Sequence, residues 1–430
     1  MKKQLWWIVL VPLLALCGAG GWLSWARSGP TARGPKQDPV VLLNRQHDNI
    51  GEHAADYYTR AYGILREAKD EFWDALDPWW ADDVPLSAEL MEWVEKKTDC
   101  VANVRQGSRC EDCRFTLQRS ANGDVLQPEL TEIKTLVRFF RLRARIAAER
   151  RDLIGFIDAL RTMDGLARDV CAQPLLISDL VGIGCLWSAQ EIVALPYTWP
   201  ELSSADRQVY AHSILPLFEA PPGLEKALKE DFNELCWIYE MKRPRSFNSR
   251  LVFPSERIFG ELDQALQPVR GHFELPVEEQ MQRLGQLEKR LEAWSSGRRA
   301  KPVAEAGRLL VSIALVTWPK AIQQRGWLIT FQRGNRTVAA IFAHADAVGQ
   351  FPASLDDAIG DFVIDPFTSK PFIYRTTGDG FTLYSAGHDG DDDGGMHHPR
   401  FGEQHATTGE ALPPDGDYVF WPLPEPQDGR

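Results

Sequence analysis

The chain has 430 residues, and 48 Lys+Arg against 60 Asp+Glu leave a formal net charge of −12. Nearly all of it falls at one end: residues 351–430 hold 15 acidic and 4 basic side chains, a net of −11, and the rest of the chain is close to neutral. That balance excludes a nucleic-acid binder, whose affinity rests on Lys and Arg neutralising phosphates, and a composition of 44% hydrophobic and 25% charged residues excludes global disorder.

Lys2 and Lys3 precede an uncharged run over residues 5–26. Its 22 residues are enough to cross a hydrocarbon core of about 30 Å as a helix. Trp6, Trp7, Trp22 and Trp25 sit near its ends, where an aromatic belt lies. The expectation is an uncleaved transmembrane signal anchor over residues 1–26, single-pass, with the bulk of the chain extracytoplasmic. Cleavage after Cys17-Gly18-Ala19 and lipidation of Cys17 are the competing readings. Two later apolar stretches read as core helices: residues 309–318 are too few to span, and residues 174–196 carry Asp179 and Glu191. Residues 27–45, which open on a stretch rich in Gly, Pro and charge, read as a linker.

Helical periodicity dominates residues 46–303. Ile50, Ala54, Tyr57, Ala61, Ile64, Ala68, Phe72 and Ala75 recur at steps of three and four, and residues 132–170 repeat the pattern through Leu136, Phe140, Ile146, Leu153, Ile157 and Leu160. Further helices are expected near residues 86–104, 175–194, 222–239, 277–294 and 304–347. Residues 144–170 have the small-residue texture of a tetratricopeptide-like helix pair, but no second copy follows at a fixed period, so the expectation is an irregular all-α domain. Arg138, Arg141 and Arg145 share one helical face, and Lys242, Arg243, Arg245 and Arg250 flank Pro244. Each group is a solvated face or a surface for lipid headgroups or for the acidic tail of the same or another chain, and the helical domain as a whole is the expected surface for a protein partner.

Of seven cysteines, Cys100, Cys110 and Cys113 are close enough in sequence for one disulfide, with three pairings open, should the body lie in an oxidising compartment. Cys110-x-x-Cys113 has no second pair to complete a zinc site. Cys171, Cys185 and Cys236 lie on apolar helices and read as small core residues.

Residues 304–430 read as a long helix followed by a small α+β module. Residues 372–375 and 381–384 predict a hairpin, and Asp417-Tyr418-Val419-Phe420 predicts a third strand. The order of motifs here, Gln350-Phe351-Pro352, Asp365-Pro366-Phe367, Phe372-Ile373-Tyr374 and Tyr384-Ser385-Ala386-Gly387-His388-Asp389-Gly390, resembles the globular part of type II secretion major pseudopilins. That family follows a long helix with Gly-x-Tyr-Pro, Asp-Pro-Trp-Gly, a Tyr-x-Tyr strand and Tyr-Ser-x-Gly-x-Asp-Gly before a calcium loop. The resemblance covers about the last 90 residues. The family's peptidase site has no counterpart at this N-terminus, where Gly380-Phe381-Thr382-Leu383 repeats its letters only inside the hairpin. As a whole the chain is similar to bacterial membrane-anchored proteins with a pseudopilin-like C-terminus, which implies an inner-membrane protein with a periplasmic body.

The acidic loop also speaks for itself. Asp389, Asp391 and Asp393 with Gly394 match the first half of a D-x-D-x-D-G calcium loop, in which alternate carboxylates converge on a hard cation and a glycine allows the sharp turn. The carbonyl of Gly395 takes the seventh position, and Arg400 stands where an EF-hand has its closing Glu. The closing carboxylate then comes from Asp417, Asp415 or Glu403. The expected metal ligands are Asp389, Asp391, Asp393, Gly395 and Asp417, and the expected cation is calcium. A solvated turn, or a transition metal on His388, His397 and His398, is the alternative.

Mainly α, with a transmembrane helix, an irregular helical domain and a small α+β module, the chain reads as a non-enzymatic membrane-anchored interaction or assembly protein with a calcium-stabilised C-terminal loop. The alternative is a metal-assisted hydrolase or a divalent-cation sensor using the loop from Asp389 to His398. No H-E-x-x-H, G-x-S-x-G or phosphate-cradling glycine loop is present, and the triad letters Ser385, His388 and Asp389 share a single loop.

Overall fold

The computed structural model describes residues 38–45, 53–67, 86–110, 112–119, 125–221, scattered positions over 224–237, and residues 275–296, 304–355, 363–377, 380–387, 390–397 and 417–423. The expected anchor over residues 5–26, the basic loop around Pro244 and Asp389 lie outside them.

Helices account for most of the described chain. Helix α1 (Pro39–Arg45) occupies part of the expected linker: Pro39 presets the first helical turn, and Asn44 exchanges two hydrogen bonds with the Leu117 backbone. In α2 (Ala54–Arg66) Ala54 and Ala61 of the expected stripe are buried, but Tyr57 and Ile64 are only half-buried, and Tyr58 and Leu65, one residue further on, reach the core in their place. Helices α3 (Ala88–Lys96) and α4 (Thr98–Gly107) follow, α3 opened by Ser87, whose hydroxyl accepts from the Leu90 amide.

The long periodic segment over residues 132–170 is two helices, α5 (Glu129–Glu149) and α6 (Leu153–Cys171). The chain reverses at Arg151, which takes a left-handed conformation (φ 56°), and Asp152 then caps α6 by accepting from the Gly155 amide. Between α4 and α5 a two-residue ladder, β1 (Gln118–Arg119) with β2 (Val125–Leu126), interrupts a region read as wholly helical.

Helix α7 (Leu176–Gln190) and the turn after it form a stretch, Leu176–Thr198, apolar and long enough to cross a membrane by length and composition. It is mostly buried instead, with Asp179, Ile183, Leu186 and Ala189 inside the core, in line with its reading as a core helix. Helix α8 (Ser204–Ile214) was not expected from periodicity; its start is marked by Ser203, whose hydroxyl accepts from the Asp206 amide. Helix α9 (Val277–Ser296) packs along α10 (Ala304–Val348), whose 45 residues run about 68 Å.

Helix α10 joins body to module. On its body side Asn335 donates to the Gln190 carbonyl (2.9 Å), Gln332 donates to the carbonyls of Leu217 and Glu219 (3.0 Å each), and Arg207 of α8 is paired with Asp346 (2.9 Å). These amide side chains are buried, so each is satisfied by a backbone acceptor that fixes the helix lengthwise. On its other side lies a three-stranded antiparallel sheet in the order β3 (Ile373–Thr377), β4 (Gly380–Ser385), β5 (Tyr418–Trp421). The expected hairpin and third strand are both present. Phe342 meets Phe381 and Trp421 at ring separations of 5.5 and 5.0 Å, and Phe331 meets Tyr418 at 4.2 Å. One cluster of buried apolar residues runs from Ala54 to Phe420 through helical body and sheet alike.

Arg141 does not face solvent freely. It donates to the Ser188 carbonyl (2.9 Å) and pairs with Glu191, which ties α5 to the end of α7. Cys171, Cys185 and Cys236 are buried, and no described cysteine is joined in a disulfide.

Candidate metal centre

The loop after β4 returns beside the start of β5, because His397 and Asp417 form a parallel bridge and the Asp417 amide donates to the Met396 carbonyl (2.9 Å). The acidic turn, residues 390–397, is thereby folded back on the strand that follows it by some twenty residues.

Five side chains, those of Asp392, Tyr384, Arg375, Asp417 and His397, hold that turn. Asp392 accepts from the Tyr384 hydroxyl (2.7 Å), from Arg375 (2.7 Å) and from the Gly394 amide (3.0 Å). The Tyr384 hydrogen bond is the largest influence keeping its carboxyl below the usual range. Asp417 is fully buried, and one carboxylate oxygen accepts from the Gly395 amide (2.6 Å), with the Asp393 amide also donating to the carboxylate. Its other oxygen, Oδ1, is buried with no hydrogen-bond partner. Burial raises the Asp417 carboxyl above its ordinary value, and Asp392 and Asp393 add to the rise. His397 accepts the Val419 amide on Nδ1 (3.3 Å), so that nitrogen serves the backbone.

The expected ligands therefore divide. Asp417 is central and buried, Asp393 is half-buried beside it, and Asp391 is exposed on the turn. Gly395 has a positive φ of 83°, and a side chain there would press on the Tyr384 ring at 3.3 Å, so glycine suits the position on two counts. Asp389 lies outside the described residues, as do His388, His398, Asp415 and Glu403. Among the described residues no group of three or more His, Cys, Asp or Glu side chains converges to hold a metal. Asp392 was passed over by the alternating pattern; its neighbours Tyr384 and Arg375 come from β4 and β3, and only the fold brings them to it.

Ser385 is a structural residue. It is fully buried, donates to Asp365 (2.7 Å) and accepts from the Gly387 amide (3.0 Å). Asp365 in turn accepts from the Phe367 amide (2.9 Å), and burial pushes its carboxyl up to about 6. The Asp-Pro turn and the Tyr-Ser-Ala-Gly strand end are thus one hydrogen-bonded unit. Tyr374 likewise donates to the Pro352 carbonyl (2.8 Å), and Phe351 packs on Phe381 (5.1 Å).

Searches against protein-family models, curated proteins and solved structures find no match to this chain.

Proposed function

We propose that the chain is a membrane-tethered, extracytoplasmic interaction or assembly protein of the bacterial envelope, and that calcium binds its C-terminal acidic turn. The observation that carries the calcium reading is the Asp417 carboxylate. A buried carboxylate oxygen without a donor is costly, and a divalent ion beside Asp393 and the Gly395 carbonyl is the partner that removes the cost and the repulsion from Asp392 and Asp393 together. The tether rests on the apolar run over residues 5–26, and the absence of a catalytic signature supports a non-enzymatic role.

With the loop on β4 and β5, and those strands on α10, a filled site stiffens the end of the module and leaves the helical body as the surface for a protein partner. Thermal unfolding of the detergent-purified chain with calcium and with chelator tests the reading. A melting temperature raised by calcium, and not by the same concentration of magnesium, is expected. Identical curves would remove calcium from the account.

A further inference from the structure

The three cysteines that sequence spacing left with three pairings are separated by the fold into one pair and one outlier. Cys100 is fully buried in the first turn of α4, where its thiol lies near Lys97, the residue before the helix, and Arg143 of α5. Cys110 follows the other end of α4: its amide donates to the Gly107 carbonyl (2.9 Å), and its thiol reaches the Gln106 carbonyl at 3.5 Å. Seven helical residues, about 10 Å of axis, thus lie between Cys100 and the end where Cys110 sits. A disulfide requires Cα atoms within about 7 Å.

Cys113 lies at that same end. The Tyr58 ring packs over Gly107, and its hydroxyl donates to Asp169 of α6. Both Cys110 and Cys113 act electrostatically on that phenol, and Cys110 acts on Cys113, whereas the charged neighbours of Cys100 are Lys97 and Arg143. The segment carrying Cys113 is fixed on both sides: the Ala54 amide donates to the Asp112 carbonyl (3.1 Å), and Gln173 donates to the Cys113 carbonyl (2.8 Å) and accepts from the Phe115 amide (3.1 Å). Both cysteines are half-buried against the main core.

We infer that Cys110 and Cys113 are a disulfide pair and that Cys100 stays a thiol. The extracytoplasmic placement proposed above supplies the setting, and the oxidant is a disulfide, either of a thiol–disulfide exchange protein or of a small molecule. The Cys110 thiolate attacks one sulfur of the donor disulfide, and the departing thiolate takes a proton. Cys113 then loses its proton and attacks the Cys110 sulfur of the mixed disulfide, releasing the second donor thiolate. Two cysteine thiols are oxidised to one disulfide and the donor is reduced to two thiols. Burial, Asp169, Cys110, Asp112 and Glu129 all push the Cys113 thiol up. Such a thiol is a poor leaving group, so the closed bond resists reduction, as a structural bond does.

Two arms test this. In the first, the purified reduced chain is incubated with oxidised glutathione, remaining thiols are alkylated, and a non-reducing digest is read by mass spectrometry. The expected product links Cys110 to Cys113, with Cys100 alkylated, and Cys113→Ser converts it to a glutathione adduct on Cys110. A bond to Cys100, or a stable glutathione adduct on Cys110 in the unaltered chain, overturns the pairing. In the second arm thiols are trapped by acid and alkylation in cells making the full chain. Finding the bond there supports the pairing and its compartment; finding it only with the reagent supports the pairing and overturns the extracytoplasmic placement.

Discussion

Gly334 of α10 faces Phe420 of β5 so closely that a methyl group on it would overlap three atoms of the ring. The ring has nowhere to go, being buried and flanked by Tyr418 at 5.1 Å and Phe372 at 5.2 Å. A helical Gly→Ala change ordinarily gains about 1 kcal/mol, while forced overpacking costs roughly 1–3 kcal/mol. With three ring atoms in the way the second effect wins, and Gly334→Ala is expected to destabilise by about 1–2 kcal/mol, the overpacking cost less the propensity gain. Gly63 of α2 is the control: nothing lies within 4 Å of its would-be Cβ, so Gly63→Ala is expected to stabilise by about 0.5–1 kcal/mol. Chemical denaturation of the two variants checks the pair, and equal signs would contradict the packing of sheet on helix.

Removing the Ser385 hydroxyl takes one donor from the buried Asp365 carboxylate and leaves the buried Gly387 amide without its acceptor. Ser385→Ala is expected to cost roughly 2–3 kcal/mol. Were Ser385 a nucleophile instead, the variant would fold normally and lose an activity. Melting temperature distinguishes these outcomes.

Burial pushes three carboxyls, Asp169, Asp179 and Asp365, up to about 6. A folded value above the unfolded one, about 3.9, means that the folded chain binds more protons between the two, so stability falls as pH rises from about 4 to about 6. The effect is fully present below the unfolded value and gone above the folded one. Asp179 shows the cause most plainly: it is wholly buried, neither oxygen has a hydrogen-bond partner, and Arg325 on α10 stands 3.6 Å away. Asp179→Asn is expected to raise stability at pH 7.5 by about 1–2 kcal/mol and to flatten the fall between pH 4 and 6. An unchanged pH profile in that variant would mean that Asp179 titrates as an ordinary surface acid.

Asp346 behaves in the opposite sense. Its hydrogen bond from Arg207 holds its carboxyl below the usual range, so its contribution is present at neutral pH and is lost as pH falls through the folded value. Asp346→Asn is expected to cost about 1–2 kcal/mol at pH 7 and nothing in strong acid, read by denaturation at the two pH values.

The helical body was legible because apolar residues recur at steps of three and four: Leu136, Phe139, Leu142 and Ile146 are all buried, and in the first stripe Ala54 and Ala61 are, although burial there passes from Tyr57 and Ile64 to the neighbouring Tyr58 and Leu65. The break at Arg151 was not, since periodicity continues across it; the local cue was Asp152, a good cap, ahead of Leu153. Helix α1 was hidden by Pro39, which reads equally as linker and as first helical residue, and α8 by its weak apolar face. In the module the hairpin and the third strand were legible, but not that β5 pairs with β4 and makes it the central strand. Nor was the arrangement of the site. Asp417 is one acid among fifteen until β5 pairs with β4 and buries it, and Asp392 stands out only when Tyr384 and Arg375 reach it. Both depend on contacts across strands, and a single sequence does not encode such contacts as a local pattern.

Calorimetric titration of calcium into the full chain and into its Asp417→Asn form tests the central claim most directly. A binding isotherm is expected for the unaltered chain, and a loss of at least tenfold in affinity, about 1.4 kcal/mol, for the variant, with both proteins folded alike. No heat from the unaltered chain, or equal binding by the two, would contradict it.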